Sequence, residues 1–438
     1  MKIIYTILLF TGFLLLIGCA TTRETKAERP PNIILIMADD LGMETVGSYG
    51  GEDYATPRLD QLAAGGMQFQ HCYANPLCTP SRIKIMTGKY NFRNYIGFGL
   101  LDPKEQTFGN ILRDAGYTTC IVGKWQLYGN ARQRELAGRG GTLPTDAGFD
   151  NYKLWQVKDR GFRYKTPTLE TSGTGLETYE EAYGPDKFVD YLDDFITQNR
   201  DTNFFVYYPM CLVHDPFLPS PDSPDYTAYD PETRTNDTTY FRDMMAYMDH
   251  EVGRIVDRVE ELGLTENTLI IFTGDNGTDR KVVSRWNGQR VPGRKGYTEE
   301  WGTHVPLIAH WPGRIAAGQK NDNLIEFTDF LPTLLDAAGV PMPADHPRDG
   351  LSFYPQLLGE DAPVREYTYC SYDPRWGNFT ARTYVQNKAW KLYEDGTFYH
   401  FAEDPREENP IPDERLTAEE KAIKVQFEKV LAEMREGR

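Results

Sequence analysis

Five short apolar runs, separated by longer amphipathic segments, constrain the possible fold of this chain more than any other feature of its sequence. The runs are rich in Ile, Val and Phe and show no alternation of polar and apolar residues. They cover residues 32–37, 118–123, 204–210, 268–273 and 305–311. Runs of this length and composition are typical of parallel strands that are buried on both faces of a sheet.

The segments between these runs contain helix candidates at 106–115, 186–199 and 237–262. Gly116 and Gly263 follow the first and the last of them, at the position where glycine commonly ends a helix. Strands that alternate with helices predict an α/β fold, here a doubly wound, mostly parallel sheet with helices on both faces. The segment 138–184 is rich in Gly and Thr and only weakly periodic, which predicts loops over one rim of the sheet.

The pattern changes after about residue 365. Aromatic and β-branched residues flank Asp395-Gly396, which is a hairpin signal, and Thr417 opens a capping box at the start of a final helix. A chain of 438 residues is long enough for one large domain and a small second one. We therefore predict a large α/β domain over 32–365 and a small C-terminal subdomain of antiparallel sheet plus helix over 366–438.

The N-terminus predicts export. One early lysine and an apolar run too short for a spanning helix indicate a signal peptide over residues 1–18. Its end, Leu16-Ile17-Gly18-Cys19, resembles the lipobox of bacterial lipoproteins, which implies lipid attachment at Cys19 and a polar tether over 19–31. The protein is then expected to be an exported lipoprotein, facing the periplasm or anchored at the outer membrane or cell surface. The alternative is an ordinary secretory peptide with a chance cysteine.

Charge and cysteine content narrow the classes of partner. The net charge of −17 argues against binding nucleic acid or other polyanions with the whole surface, because an acidic protein repels them at long range. An anionic substrate therefore needs a local basic pocket. The six cysteines are too few and too scattered for a disulfide scaffold in a chain of this length.

Oxygen-bearing side chains follow two of the predicted strands. Asp39 and Asp40 come after the first run, and Asp275 and Asn276 come after the run at 268–273. Ligands of open parallel sheets bind beyond the carboxyl ends of the strands, so these side chains are expected to meet on one rim. Carboxylate and amide oxygens are the ligands that Ca²⁺ and Mg²⁺ prefer. Each pair taken alone is also compatible with helix N-capping.

Cys78 stands just before a predicted helix. Pro80 and Ser81 suit the first turn of a helix that starts near Arg82, and a helix N-terminus presents free N–H groups to an anion. A thiol in that position suggests a lowered pKa and a nucleophilic thiolate. The alternative is a plain buried cysteine. Lys124 and His214 each follow another predicted strand and are therefore expected near the same rim.

The run Cys78-Thr79-Pro80-Ser81-Arg82, followed by Thr87-Gly88, resembles the C-x-P-S-R…T-G signature of the type I sulfatases, within the alkaline phosphatase superfamily. Further similar fragments occur in the family's order along nearly all of the mature chain. They are "NIILIMADDLG", "VGKWQL", "GFDNY", "FTGDNG", "GRKGYTEEWGTHVP" and "FYHFAEDPREENP". Each fragment is weak alone, but their order and chemistry together are specific.

The resemblance implies a mechanism and a set of site residues. Cys78 would be converted to formylglycine by a formylglycine-generating or radical maturase, and Ca²⁺, rather than Mg²⁺, would be its cofactor. The implied metal ligands are Asp39, Asp40, Asp275, Asn276 and modified Cys78. The implied catalytic residues are Cys78, Arg82, which would orient the hydrated aldehyde, Lys124 and Lys295, which would neutralise sulfate charge, and His214, which would help protonate the leaving alcohol. The expected substrate-binding residues are Gln126, Arg294 and His304.

The chain departs from the family pattern at two positions. The family usually has G-K-W-H-L, whereas this chain has Gln126 in place of the histidine, and a glutamine amide cannot accept a proton near neutral pH. The usual "EGG" near Lys295 is Glu300-Trp301-Gly302 here. These changes would mean an altered pocket, a different base such as His304, or lost turnover.

The sequence therefore predicts a lipid-anchored, Ca²⁺-dependent sulfatase that acts on a sulfated carbohydrate and does not bind nucleic acid. The acidic surface favours terminal or exposed sulfates over a long groove for polyanions. A phosphate or phosphonate ester hydrolase of the same superfamily is one alternative. A non-catalytic glycan-binding homologue, suggested by Gln126, is the other.

Overall fold

The protein is described by a computed structural model over residues 29–158, 160–233 and 236–437. The predicted signal peptide, Cys19 and most of the tether lie outside these residues. No helix in the described ranges combines the length and the apolar character needed to cross a membrane.

Sixteen strands form in the described chain. They are β1 (Asn32–Ala38), β2 (Met67–Tyr73), β3 (Thr118–Lys124), β4 (Asn151–Trp155), β5 (Thr168–Thr171), β6 (Gly175–Thr178), β7 (Phe204–Pro209), β8 (Thr268–Gly274), β9 (Val283–Trp286), β10 (Gln289–Pro292), β11 (His304–His310), β12 (Gln319–Glu326), β13 (Thr368–Tyr372), β14 (Arg382–Gln386), β15 (Trp390–Tyr393) and β16 (Phe398–His400).

Ten α-helices accompany these strands in the same part of the chain. They are α1 (Pro57–Gly65), α2 (Cys78–Thr87), α3 (Phe108–Asp114), α4 (Ala131–Ala137), α5 (Gly184–Gln198), α6 (Phe241–Glu261), α7 (Glu300–Thr303), α8 (Phe330–Ala338), α9 (Tyr354–Leu357) and α10 (Ala418–Glu436). The helix candidates at 106–115, 186–199 and 237–262 correspond to α3, α5 and α6.

A ten-stranded sheet with the order β12-β2-β11-β8-β1-β7-β3-β4-β5-β6 forms the centre of the fold. The central strand β1 is parallel to both of its neighbours, β7 and β8, and β3 is parallel to β7 and β4. Alternate residues of β1 pack into different apolar clusters, with Ile33 and Leu35 on one face and Ile34 and Ile36 on the other. Helices α1, α5 and α6 cover one face, and α2, α3 and α8 cover the other. The predicted doubly wound, mostly parallel sheet is confirmed.

The prediction that residues 305–311 form a parallel strand was wrong. This run is β11, which is antiparallel to both β2 and β8. The chain leaves β8 at one rim and reaches β11 through the β9–β10 hairpin and the short α7, without the crossover helix that would return it to the opposite rim. Burial on both faces makes the run apolar, but burial carries no information about strand direction.

The prediction that residues 138–184 form only loops was also wrong. This segment contains β4, which extends the parallel part of the sheet, and the β5–β6 pair at its edge. All four residues of β6 are exposed, so the strand has no apolar face that the sequence pattern would reveal.

The small C-terminal sheet has the order β13-β14-β15-β16 and is antiparallel throughout. One face packs against α10 through Val385, Leu392 and Phe427. The other face carries Tyr372 and Tyr384, which pack in one cluster with Cys78. The predicted capping box is present, since the Thr417 side chain accepts from the Glu420 backbone N–H and the Glu420 side chain accepts from that of Thr417. The small sheet therefore forms one wall of the region around Cys78.

Candidate active site

Two neighbouring strands bring the predicted acidic residues together. Ala38 at the end of β1 lies opposite Gly274 at the end of β8, so the residues that follow both strands share one rim. The Asp40 backbone N–H donates to Asp275 Oδ1 at 2.9 Å, and Asn276 Nδ2 donates to Asp40 Oδ1 at 2.9 Å. The rim predicted from strand ends is therefore formed, and its four oxygen-bearing side chains are buried.

Cys78 is the first residue of α2, whereas the sequence predicted a helix that starts near Arg82. The helix begins earlier because Leu77 has the extended backbone of an N-cap and because Pro80 falls in the first turn, where its missing N–H costs no intrahelical bond. The Cys78 thiol and carboxylate oxygens of Asp39 and Asp275 all lie within 4.8 Å of one another. Burial raises the pKa of the Cys78 thiol, so an unmodified thiolate nucleophile is disfavoured here.

Two lysines reach the acidic rim from different parts of the chain. Lys124, at the end of β3, places Nζ 2.7 Å from Asp39 Oδ2, and Lys295 places Nζ 2.5 Å from Asp40 Oδ2. Burial opposes the charge of Asp39, but Lys124, with further help from His214 and Lys295, holds its pKa below the usual range. Burial likewise opposes the charge of each lysine, and the facing carboxylates nevertheless raise both lysine pKa values. Both ammonium groups are therefore held charged beside the rim.

The remaining predicted catalytic side chains lie on the same rim. Arg82 is buried and donates from Nη2 to the Lys124 carbonyl oxygen. His214 places Nε2 3.0 Å from Lys295 Nζ, and its Nδ1 lies 3.0 Å from Asp215 Oδ1. The hydrogen bond from His214 holds the pKa of Asp215 below its usual range.

The donor set on the rim fits a hard dication. Asp39 Oδ1 and Asn276 Oδ1 are buried and have no hydrogen-bond partner in the described chain. Burial, followed by the charges of Asp39 and Asp40, raises the pKa of Asp275 well above its usual value. Clustered carboxylates and orphaned buried oxygens are costly unless a cation compensates them, and these oxygens are the ligand type of Ca²⁺. The residues therefore match the predicted ligand set.

A cavity of about 520 Å³ opens above this rim. Cys78, Lys295 and His214 line its floor together with Gln126. Its walls include Asn130, Gln133, Gln156, Arg160, Arg163, Arg280, Lys281, Trp376 and Phe379. A buried cysteine, an oxygen-rich cluster that fits a cation and fixed ammonium groups thus converge on a cavity of ligand size, as expected of an active site.

A family model described as Sulfatase matches residues 31–340. The chain belongs to the sulfatase family. A second model, described as N-sulphoglucosamine sulphohydrolase, C-terminal, matches residues 294–437 of this sulfatase.

Curated relatives agree with this assignment. The chain is 34% identical over 398 residues to human arylsulfatase A, covering 81% of this chain and 74% of that protein. It is 30% identical over 425 residues to N-acetylgalactosamine-6-sulfatase from Canis lupus familiaris, covering 87% of this chain and 77% of that protein. These relatives identify the protein as a sulfatase enzyme.

Solved structures share its fold at lower identity. The structure of Ps i-CgsB superimposes with a TM-score of 0.75 at 24% identity and covers 93% of both chains. BT4656 in complex with D-glucosamine-2-N,6-O-disulfate gives a TM-score of 0.74 at 23% identity, covering 93% of this chain and 98% of that one. The phosphonate monoester hydrolase of Agrobacterium radiobacter gives a TM-score of 0.69 at 19% identity, covering 93% of this chain and 96% of that one. At these identities the likeness shows the fold alone.

Gln126 lines the cavity of this sulfatase. The strand ends at Lys124, and Gln126 has a φ of 48°, so the two side chains do not share a face of an extended segment. Trp125 between them is fully buried and donates from Nε1 to the Thr142 carbonyl oxygen. Gln126 Oε1 is buried without a hydrogen-bond partner in the described chain, although the residue as a whole lines the cavity.

Arg294 and His304, two of the expected substrate-binding residues, do not line the cavity, and both bind neighbouring groups of the fold. Arg294 forms a two-pronged ion pair with Glu299 and lies over the Tyr297 ring. His304 has both ring nitrogens engaged, Nδ1 with Glu300 Oε1 at 2.6 Å and Nε2 with the Gln70 carbonyl oxygen at 2.8 Å. His304 is also excluded as a replacement base, because its hydrogen-bonding positions are taken within the fold.

Sequence reasoning missed several residues of the cavity. Arg163 places Nη2 3.0 Å from His214 Nδ1 and is almost fully buried. It lies in the segment 138–184, for which the sequence predicts loops and no site residue. Trp376 and Phe379 come from the connection between β13 and β14 in the C-terminal subdomain, more than 290 positions beyond Cys78. No local sequence signal links these residues to the site. The only available signal for Asp215 was its place beside the predicted His214.

Proposed function

We propose that this sulfatase hydrolyses sulfate esters carried by a carbohydrate, using residue 78 in its formylglycine form and a bound Ca²⁺. The observation that carries the proposal is the position of Cys78. It lies at the start of α2, within 4.8 Å of the Asp39 and Asp275 oxygens, under a cavity that holds fixed cationic groups. A merely buried cysteine would have no need of this setting.

Asp39, Asp40, Asp275 and Asn276 would hold the Ca²⁺, together with an oxygen of modified residue 78. The cation would polarise the sulfate ester and favour ionisation of the hydrated aldehyde at residue 78. Asp39 Oδ1 and Asn276 Oδ1 are both buried without a hydrogen-bond partner in the described chain, which supports this ligand set.

The lysines and His214 would act on the sulfate itself. Lys124 and Lys295 are already held charged by Asp39 and Asp40, so both can stabilise negative charge that grows on the sulfate oxygens in the transition state. His214 and Lys295 both line the cavity, with Nε2 and Nζ 3.0 Å apart, so this pair is positioned to donate a proton to the departing alcohol oxygen. Arg82 would fix the segment that carries Lys124 through its bond to the Lys124 carbonyl.

A carbohydrate substrate is supported by the cavity walls and by one structural relative. Four amide side chains line the cavity, Gln126, Asn130, Gln133 and Gln156, and amides hydrogen-bond readily to sugar hydroxyls. The relative BT4656, which shares the fold, is described in complex with a sulfated glucosamine.

Matched esters test the proposal directly. We expect release of sulfate from at least one sulfated mono- or oligosaccharide and from 4-nitrophenyl sulfate, with kcat/KM at least about 100-fold higher than for the corresponding phosphate and phosphonate esters. The protein must be made in a host that has a formylglycine-generating or radical maturase. A preference for phosphonate esters would instead favour the hydrolase alternative, which the shared fold of the Agrobacterium enzyme keeps open.

Gln126 gives the second testable expectation. If the Gln126 amide, which lines the cavity, hydrogen-bonds a sugar hydroxyl, Gln126→Ala should lower kcat/KM on a sugar sulfate about 3- to 10-fold and leave kcat/KM on 4-nitrophenyl sulfate nearly unchanged. Gln289→Ala, on the exposed strand β10, is the matched control.

A burst of released alcohol with 4-nitrophenyl sulfate, reduced by Gln126→His, would contradict this reading. It would show instead that Gln126 replaces a base whose loss slows the departure of sulfate from the enzyme. Absence of turnover on every ester, combined with tight binding of a glycan, would support the non-catalytic alternative.

Lipid anchoring is a separate proposal that rests on the sequence around Cys19 alone. Cys19→Ala should move the protein from the membrane fraction to the soluble exported fraction, with kcat and KM unchanged, since residues 19–31 separate the anchor from the fold. Fractionation of cells followed by assays on both fractions measures this. A variant that stays membrane-bound would contradict lipidation at Cys19.

A further inference from the structure

A second cavity, of about 550 Å³, lies beside the active-site cavity. The two cavities share Arg280 and Phe379 as lining residues, so they adjoin. The second cavity lies between the segment around Tyr297 and the C-terminal subdomain, which contributes Arg382 from β14. It is mainly polar in its lining side chains, and none of the site residues predicted from the sequence lines it.

Two arginines that line this cavity have no carboxylate within ion-pair distance in the described chain. Arg280 and Arg382 are exposed, and neither forms an ion pair with a carboxylate in the described ranges of the chain. Aromatic rings hold their guanidinium groups instead. Arg280 lies 5.6 Å from the Tyr297 ring centre and 5.4 Å from that of Phe379, and Arg382 lies 4.7 Å from that of Tyr393.

The carboxylates of the same cavity are already paired. Glu299 is bound by Arg294, and Glu407 accepts from Lys391 Nζ and from the Tyr393 hydroxyl. Arg280 and Arg382 therefore keep their positive charge available to a ligand. In a chain with a net charge of −17, such a pair beside the active site forms the local basic region that an anionic substrate requires.

An aromatic wall connects the two cavities. Phe379 lines both, and Trp376 lines the active-site cavity, where its ring stacks on that of Phe98 with centroids 5.1 Å apart. Both side chains remain partly exposed. Rigid aromatic faces of this kind offer a surface to the apolar face of a sugar ring while the polar groups around them bind its substituents.

We propose that Arg280 and Arg382 form an anion-binding subsite for a second sulfate or a carboxylate on a sugar that neighbours the one carrying the ester in the active site. This inference rests on the proposed sulfatase activity on carbohydrates and specifies its substrate as an oligosaccharide with at least two anionic groups. It goes beyond the expectation that the acidic surface favours terminal or exposed sulfates over a long groove for polyanions, because binding here depends on the local charge beside the site.

Binding measurements test this subsite independently of turnover. Isothermal titration with heparin-derived and carrageenan-derived tetrasaccharides should give a Kd for at least one of them that is at least about tenfold lower than the Kd of inorganic sulfate. Arg280→Gln and Arg382→Gln should each raise the Kd of that tetrasaccharide about fivefold or more. Arg290→Gln, an exposed arginine on β10 away from the cavity, is the charge-matched control and should change neither Kd.

Kinetics then separate this inference from the proposed function. Arg382→Gln should raise KM for a tetrasaccharide with two anionic groups and leave kcat/KM on 4-nitrophenyl sulfate within about twofold. The subsite is refuted if both arginine variants bind every tetrasaccharide as tightly as Arg290→Gln, or if no tetrasaccharide binds more tightly than inorganic sulfate. If the binding results hold but no ester releases sulfate, the subsite stands and the proposed hydrolysis fails.

Discussion

Cys78→Ala is expected to lower sulfate release by more than about 10⁴-fold on every substrate, because it removes the side chain that supplies the nucleophile. The variant should still fold, since the Cys78 side chain is buried in an apolar cluster whose packing alanine leaves largely intact. Initial rates on 4-nitrophenyl sulfate and on a sugar sulfate, with thermal unfolding measured in parallel, give both quantities.

Cys370→Ala is the matched control for this variant. Cys370 is also buried and belongs to the same apolar cluster as Cys78, but it lies on β13 and does not line the active-site cavity. It should retain kcat even if its unfolding temperature falls. Substantial activity of Cys78→Ala, at a level near that of Cys370→Ala, would contradict a nucleophile at residue 78.

Removal of Ca²⁺ is expected to have the second large effect. Chelation, or Asp275→Ala, should lower activity on all substrates alike by about 10³-fold or more, because both remove the cation that polarises the ester. Added Ca²⁺ should restore the chelated wild-type enzyme more fully than Mg²⁺, since the buried carboxylates and amide offer the flexible oxygen set that Ca²⁺ accepts.

Thermal unfolding provides a readout of the same site that does not depend on activity. The buried Asp39, Asp40 and Asp275 repel one another, so Ca²⁺ at about 100 times its Kd should stabilise the wild-type fold by about 2.7 kcal/mol. Asp275→Ala should abolish that Ca²⁺-dependent rise, and the exposed Asp336→Ala should keep it. Full activity in a protein shown to be free of metal would refute the ion site.

The parallel centre of the fold was predictable because burial on both faces imposes apolar residues all along a strand. The runs that became β1, β7 and β8 carry that signal directly. The direction of β11 was not predictable, because its apolar run records burial and not orientation. The exposed edge strand β6 was missed for the opposite reason, since it has no buried face.

The acidic rim was predictable from one topological rule. Asp39 and Asp275 follow strands that prove to be parallel neighbours, and the carboxyl ends of such strands meet. Arg294 and His304, which were not predicted to be engaged within the fold, are each bound by a nearby carboxylate. Glu299 and Glu300 lie five and four positions away along the chain, so the sequence contained this signal.

The wall formed by the C-terminal subdomain was not predictable from local patterns. Arg280 and Arg382 lie about 100 positions apart, and only the packing of the small sheet against the large one brings them to one cavity. The same holds for Trp376 and Phe98, which stack across that interface. Contacts of this type depend on how two folded units pack against each other. The sequence periodicity of either unit predicts its own strands and helices but not this packing.

The chemical state of residue 78 in active enzyme tests the central claim most directly. Peptide mass spectrometry of protein that releases sulfate should find residue 78 with the mass of formylglycine, that is, cysteine minus H₂S plus one oxygen. The modified fraction should rise and fall with specific activity across preparations made with and without a maturase. Fully active protein in which residue 78 is an unmodified cysteine would contradict the account.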